Sequence, residues 1–185
     1  MIVLQVSEPG WIRGPADDPD DQCAHGRVTL TVNGRDLVSP HDGVWTVSAA
    51  GLYLLRTISS DHGMGTSVAD DNFLFPCCGF NAWLLPEYGR VVCIGCMEGI
   101  DIEVIHNDGL IELRYQDLVE CVNQDQWTRA VLGFAKQIRQ FYQESTEKSY
   151  VMDDFDRTGW GAFWQEWSDR ETAAIASLGV GESPG

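Results

Sequence analysis

The chain has 185 residues, 44% hydrophobic and 10% aromatic, which is enough apolar matter for one domain with a real core. Its 12 Lys and Arg stand against 28 Asp and Glu, a formal net charge of −16. That charge argues against a binder of nucleic acid or of an anionic membrane, since both need clustered cations, while the 7 Trp and 7 Phe argue against a disordered chain.

The opening run Met1-Ile2-Val3-Leu4-Gln5-Val6 has neither a basic flank nor a small-residue cleavage site, so it reads as a β-strand rather than a signal peptide. No apolar run approaches the roughly 18–20 residues of a membrane helix. The expected setting is the cytoplasm, with most of the six cysteines (Cys23, Cys77, Cys78, Cys93, Cys96, Cys121) as free thiols. Residues 8–27 hold three prolines, three glycines and Asp17-Asp18-Pro19-Asp20-Asp21, and read as an exposed acidic loop.

Arg27 to Val32 alternates as a strand, Asn33-Gly34 supplies a type I′ turn, and Arg35 to Val38 returns. A short helix is expected from Ser48, its N-cap, with Leu52, Leu55 and Ile58 on one face, although Gly51 and the β-branched residues leave a strand open. Residues 59–75 are irregular and include Asp70 and Asp71; a connection this long is usually functional or mobile. Arg90 to Ile94 reads as a strand. Ile100 to His106 alternates strictly, Asn107-Asp108-Gly109 turns, and Leu110 to Tyr115 returns, with a further extended segment at Leu118 to Val122.

Beyond Asn123 or Asp125 as cap, Trp127, Val131, Phe134, Ala135, Ile138, Phe141 and Tyr142 fall at helical spacing. A polar joint at 145–152 leads to a second helix near Asp154 to Ser177. Its stripe Trp160, Phe163, Trp164 and Trp167 is either a face docked on its own domain or a partner surface. Residues 179–185 should fray. The expected fold is a single α+β domain: an antiparallel, hairpin-rich sheet over 1–122 and two C-terminal amphipathic helices over 123–178.

Cys77-Cys78-Gly79 and Cys93-Ile94-Gly95-Cys96 form the sharpest chemical pattern, because zinc takes four tetrahedral sulfur or nitrogen ligands and a Cys-x-x-Cys pair closed by glycine can supply two. Adjacent Cys77 and Cys78 chelate awkwardly if the chain is extended, since neighbouring side chains then point to opposite faces. His62 or His106 could then complete the set. A thiol enzyme would need one of these cysteines activated by a histidine, and Cys93-x-x-Cys96 precedes a strand rather than opening a helix. The acidic runs lack the regular offsets of a calcium loop, and no phosphate-cradling glycine motif is present.

Gly99-Ile100-Asp101-Ile102-Glu103-Val104-Ile105-His106-Asn107-Asp108-Gly109, Phe134-Ala135 through Phe141-Tyr142-Gln143-Glu144-Ser145, and Asp154-Phe155-Asp156-Arg157 through Phe163-Trp164-Gln165-Glu166-Trp167 lie in an order that resembles a bacterial family of small uncharacterised cytosolic proteins, associated with immunity proteins of polymorphic toxin systems. The resemblance covers the C-terminal half and carries no catalytic residue. It implies a non-enzymatic binding protein, an inhibitor of a basic toxin, and opposite charges would speed such capture. The carboxylates expected to meet the toxin are Asp17, Asp18, Asp20, Asp21, Asp70 and Asp71. The alternatives are a small zinc-binding domain on Cys77, Cys78, Cys93 and Cys96, or a thiol enzyme.

Overall fold

The computed structural model describes residues 1–14, 16–70, 73–79, 81–149 and 153–180. Strand β1 (Ile2–Trp11) pairs antiparallel with β2 (Ala24–Val32), from Ile2 opposite Val32 to Trp11 opposite Ala24. The acidic connection is therefore shorter than residues 8–27. The ladder survives Pro9, which lacks an N–H, because the register shifts between Ser7 and Gly10 and leaves Glu8 and Pro9 unpaired. Asn33 and Gly34 take φ of 53° and 84°, both positive as a type I′ turn requires, and β3 (Arg35–Val38) returns as expected.

Strand β4 (Trp45–Thr46) adds to β2 and runs directly into α1 (Val47–Arg56). The expected cap is corrected: Thr46 occupies the N-cap position, without a capping side-chain bond, and Ser48 lies buried in the first turn. All ten residues of α1 are buried. A helix apolar on every side belongs in the middle of a fold, and this one is the centre about which the rest is assembled.

Further along come β5 (Phe75–Pro76), β6 (Asn81–Leu85), β7 (Arg90–Ile94), β8 (Gly99–Ile100), β9 (Glu103–Asn107), β10 (Leu110–Tyr115) and β11 (Leu118–Asn123). The expected strand from Ile100 to His106 is broken at Asp101–Ile102, because its halves answer to different partners: Ile100 pairs with Phe75, and Glu103 with Arg114. Its alternation still buries Ile100, Ile102 and Val104. Nor is there one continuous sheet. Among the described residues the strands form four antiparallel units: β1-β2-β3 with β4 on β2, then β9-β10-β11, β5-β8 and β6-β7.

Helix α2 (Gln124–Glu144) opens on a capping box, with Asn123 Oδ1 accepting from the Asp125 N–H at 2.8 Å and the Gln126 side chain accepting from the Asn123 N–H. Asn123 is the cap, and Asp125 lies inside the first turn. Trp127, Val131, Phe134, Ala135 and Ile138 are buried, and α2 lies across β1 and α1. Helix α3 (Asp154–Val180) continues through 179–180, where fraying was expected; 181–185 lie outside the described residues. It packs on the β6-β7 hairpin and on α1, with Trp160, Phe163 and Trp167 buried and Trp164 half-buried. The aromatic stripe is thus turned to its own domain. The fold is α+β, with antiparallel sheets and three helices among the described residues, and no described helix is long and apolar enough to cross a membrane.

The centre is tied by one buried cation. Arg56 donates from Nε and Nη2 to Glu166 at 2.8 and 2.9 Å, from Nη1 to the Val68 carbonyl, and from Nη2 to the Val91 carbonyl. It thereby joins α1, α3, β7 and the 59–74 connection. That connection is irregular but anchored: His62 exchanges backbone bonds with Val104, and Val68, Ala69 and Leu74 are buried.

Candidate metal centre

Two short ladders bring three cysteines together. The β5-β8 pairing sets Phe75 opposite Ile100, and the Cys77 N–H then donates to the Glu98 carbonyl at 2.8 Å. Thr46 Oγ1 donates to the Cys77 carbonyl at 3.0 Å, fixing the same residue to the start of α1. From Cys78 the chain makes the β6-β7 hairpin and returns through Ile94 to Gly95 and Cys96. A Cβ on Gly95 would lie 2.4 Å from both the carbonyl carbon and oxygen of Cys78. Only glycine permits that backbone approach, and the approach is what delivers Cys96 to Cys77 and Cys78.

The Sγ atoms of Cys77, Cys78 and Cys96 all lie within 4.8 Å of one another, with Cys77 and Cys78 4.0 Å apart. The objection to an adjacent pair is removed, because residues 77–79 lie outside any strand and do not alternate in direction. All three are half-buried. Burial, and then thiol contacts with Cys96 and Cys78, push the Cys77 thiol up to about 12. Cys78 is raised first by its bond to Cys96 and then by burial. Cys96 moves the other way, held below the ordinary thiol value by the two sulfurs that donate to it. The cluster thus stabilises one thiolate at Cys96.

Cys93 does not join the set. It lies buried in β7, where its N–H donates to Asp70 and its carbonyl accepts from Tyr53, and burial drives its thiol up to about 12. The expected four-cysteine set is corrected to three, because position 93 faces the core while position 96 has left the strand. Neither proposed histidine replaces it. His62 bonds Asp101 through Nε2 at 2.5 Å and accepts the Val68 N–H on Nδ1; His106 bonds Asp61 and the Ile58 carbonyl. Among the described residues, no further His, Cys, Asp or Glu joins the three sulfurs at that spacing.

His62 also has Ser67 Oγ 3.4 Å from Nδ1, so Ser67, His62 and Asp101 stand in the order of a hydrolase triad. The proton route is closed, however. The Ser67 hydroxyl donates to the Ala69 carbonyl at 2.7 Å, and the Nδ1 lone pair already receives the Val68 N–H. This constellation, which the sequence reading overlooked because Asp101 comes from a distant part of the chain, ties the 59–69 connection to the segment between β8 and β9, beside the backbone bonds of His62 with Val104.

The acids expected to meet a partner have intramolecular tasks. Asp17 pairs with Lys148 and accepts the Thr146 N–H, and Lys148 together with that N–H holds its carboxyl below the usual range. Asp18 accepts from the Asp20 N–H and pairs with Arg13, while Asp20 accepts from the Ser149 hydroxyl. Asp21 is buried and accepts the Arg13 and Cys23 N–H groups, so this stretch buries more than its composition suggested. Asp70 accepts from Tyr53, Arg90 and the Cys93 N–H, yet burial outweighs those donors and raises it. Asp71 lies outside the described residues. Asp17 and Asp20 remain exposed.

Comparison with protein-family models, with curated proteins and with solved structures returns no match, so the chemistry of the site is argued from its own residues.

Proposed function

We propose that this protein binds a metal ion through Cys77, Cys78 and Cys96. The observation that supports this is the convergence of three thiols from two segments, all within 4.8 Å of one another, with Cys77 fixed by its N–H on the Glu98 carbonyl and by the Thr46 hydroxyl on its own carbonyl. At a metal–sulfur length of about 2.3 Å, three sulfurs in one plane around an ion stand about 4.0 Å apart. The sulfurs therefore close on an ion by shifts below about 1 Å, without movement of the fold. Three thiolates spread so much negative charge onto a cation that it polarises a substrate poorly. The role is one of holding an ion, in keeping with a non-enzymatic binding protein.

The test is a titration of the reduced protein with Zn(II) and with Cu(I), followed by gel filtration and elemental analysis. One ion per chain is expected, lost in Cys78→Ser/Cys96→Ser and kept in Cys121→Ser, whose cysteine is exposed on β11. Retention of the ion by the double variant refutes the reading, as does an absence of binding to the parent.

A second reading, inhibition of a basic toxin, draws on the charge of −16 and on the pinning of the acidic connection by Lys148 and Ser149. A carboxylate edge held in advance loses little freedom on binding. It requires capture of a basic nuclease that weakens with salt and with Asp17→Asn/Asp20→Asn; indifference to both would remove it.

A further inference from the structure

Resting on the reading of the three-cysteine cluster as a metal site, we infer that its ion is Cu(I), held three-coordinate by Cys77, Cys78 and Cys96, rather than Zn(II).

Donor number is the first argument. Zn(II) completes a tetrahedron, and a structural zinc site draws all four ligands from the protein. Here the described residues bring three sulfurs together and no fourth His, Cys, Asp or Glu at that spacing. The two histidines best placed in sequence to supply one have both ring nitrogens engaged elsewhere. Cu(I), a closed-shell monovalent ion, is satisfied by three thiolates.

Donor softness is the second. The set is all sulfur, and soft thiolates hold Cu(I) as they hold zinc; softness sets aside the harder ions, and the number of donors separates copper from zinc.

Spacing agrees with such an ion. A planar three-coordinate ion with metal–sulfur bonds of about 2.3 Å sets its sulfurs about 4.0 Å apart; Cys77 and Cys78 stand at 4.0 Å and the other pairs lie within 4.8 Å. The two segments are held together by the Cys77 N–H on Glu98, the Thr46 hydroxyl on the Cys77 carbonyl, and Gly95 closed against Cys78. Coordination sends the thiol protons to solvent and moves no electron, so the copper enters and stays as Cu(I).

The experiment is an anaerobic titration of the reduced full chain with Cu(I), in competition with a chromophoric Cu(I) chelator and with Zn(II) in molar excess, followed by X-ray absorption at the copper edge. One Cu(I) per chain is expected to remain against excess Zn(II), with three sulfur neighbours and an ultraviolet thiolate-to-copper band. The band should be lost in Cys96→Ser and in Cys78→Ser and kept in Cys121→Ser, with circular dichroism reporting that each variant is folded. Displacement of copper by Zn(II), or copper found with only two sulfurs, overturns the inference and leaves the metal reading standing. Failure of the reduced protein to hold either ion, or recovery of a disulfide among the three cysteines in place of metal, overturns both.

Discussion

Gly51 sits in the middle of α1, where a helix interior ordinarily gains about 1 kcal/mol from Gly→Ala. Here the substitution meets α3. A Cβ at position 51 would lie 2.3 Å from Cη2 and 2.8 Å from Cζ3 of Trp167, and 3.0 Å from Cδ1 of Ile138. Carbon atoms rest at about 3.5 Å or more, so the indole must retreat by about 1.2 Å. Trp167 is fully buried and flanked by Phe163 and Trp164 at ring separations of 5.7 and 5.3 Å, which leaves it little room to turn. Overpacking of this kind costs about 1–3 kcal/mol, and the upper half of that range exceeds the helix gain. Gly51→Ala should therefore destabilise the protein by roughly 1–2 kcal/mol, read as a lower urea midpoint at unchanged slope. In a Trp167→Leu background the obstructing ring atoms are gone, and the same substitution should become stabilising by about 0.5–1 kcal/mol. The reversal of sign is the diagnostic result. If Gly51→Ala stabilises the parent protein, the indole is not seated on α1, and the stripe of Trp160, Phe163 and Trp167 is free to serve a partner.

Glu166→Gln should cost about 3–5 kcal/mol in chemical denaturation, because it leaves the buried Arg56 guanidinium without its counter-charge; a loss below about 1 kcal/mol would contradict the pairing. Burial raises the Glu166 carboxyl, but Arg56 and Arg170 outweigh it and hold the folded value below normal. The stabilisation is thus present above the unfolded carboxyl value of about 4.3 and is lost as pH falls through the lower folded one. An acid titration of stability should show a shallower loss in Glu166→Gln than in the parent, and identical slopes would exclude this contribution. Gly95→Ala pushes a methyl into the Cys78 backbone, which cannot yield as a side chain would; metal binding should be lost while helical circular dichroism is retained, and undiminished binding would break the link between Gly95 and the cluster. Asn123→Ala should lower stability by about 1 kcal/mol through loss of the α2 cap, and a neutral result in thermal melts would remove the capping box from the account. Pulsed alkylation read by mass spectrometry should label Cys121 and Cys96 early and the buried Cys23 and Cys93 only on unfolding; early labelling of Cys93 would place it outside the core.

Local chemistry decided a good part of this protein. The dipeptides Asn33-Gly34 and Asp108-Gly109 turn where their positive φ angles are tolerated, the Asn123 cap starts α2, and the apolar spacing of Trp127 to Ile138 selects its buried face. Each is an effect between residues a few positions apart, so each is legible without knowing where the rest of the chain goes. The break at Asp101–Ile102 is not of that kind, because the alternation of Ile100, Ile102 and Val104 is the same whether one strand carries it or two. What divides it is the competition of Phe75 and Arg114 for its two halves.

The candidate site depends almost wholly on such distant pairings. The two-residue strands β5 and β8 are too short to show a period, yet they set Cys77 beside Glu98. The return of the β6-β7 hairpin then brings Gly95 onto Cys78. From spacing alone, Cys93 and Cys96 look like partners; in the fold, Cys93 remains in the strand facing the core and Cys96 lies beyond its end, so one thiol goes to the interior and the other to the cluster. The acidic runs show the same division. Composition determines that Asp17 to Asp21 must find water or cations, and tertiary structure decides that Lys148, Ser149 and the N–H groups of Arg13 and Cys23 meet them. Charge and periodicity act locally and can be read along the chain, whereas the company a side chain keeps is set by which distant backbone groups complete its hydrogen bonds.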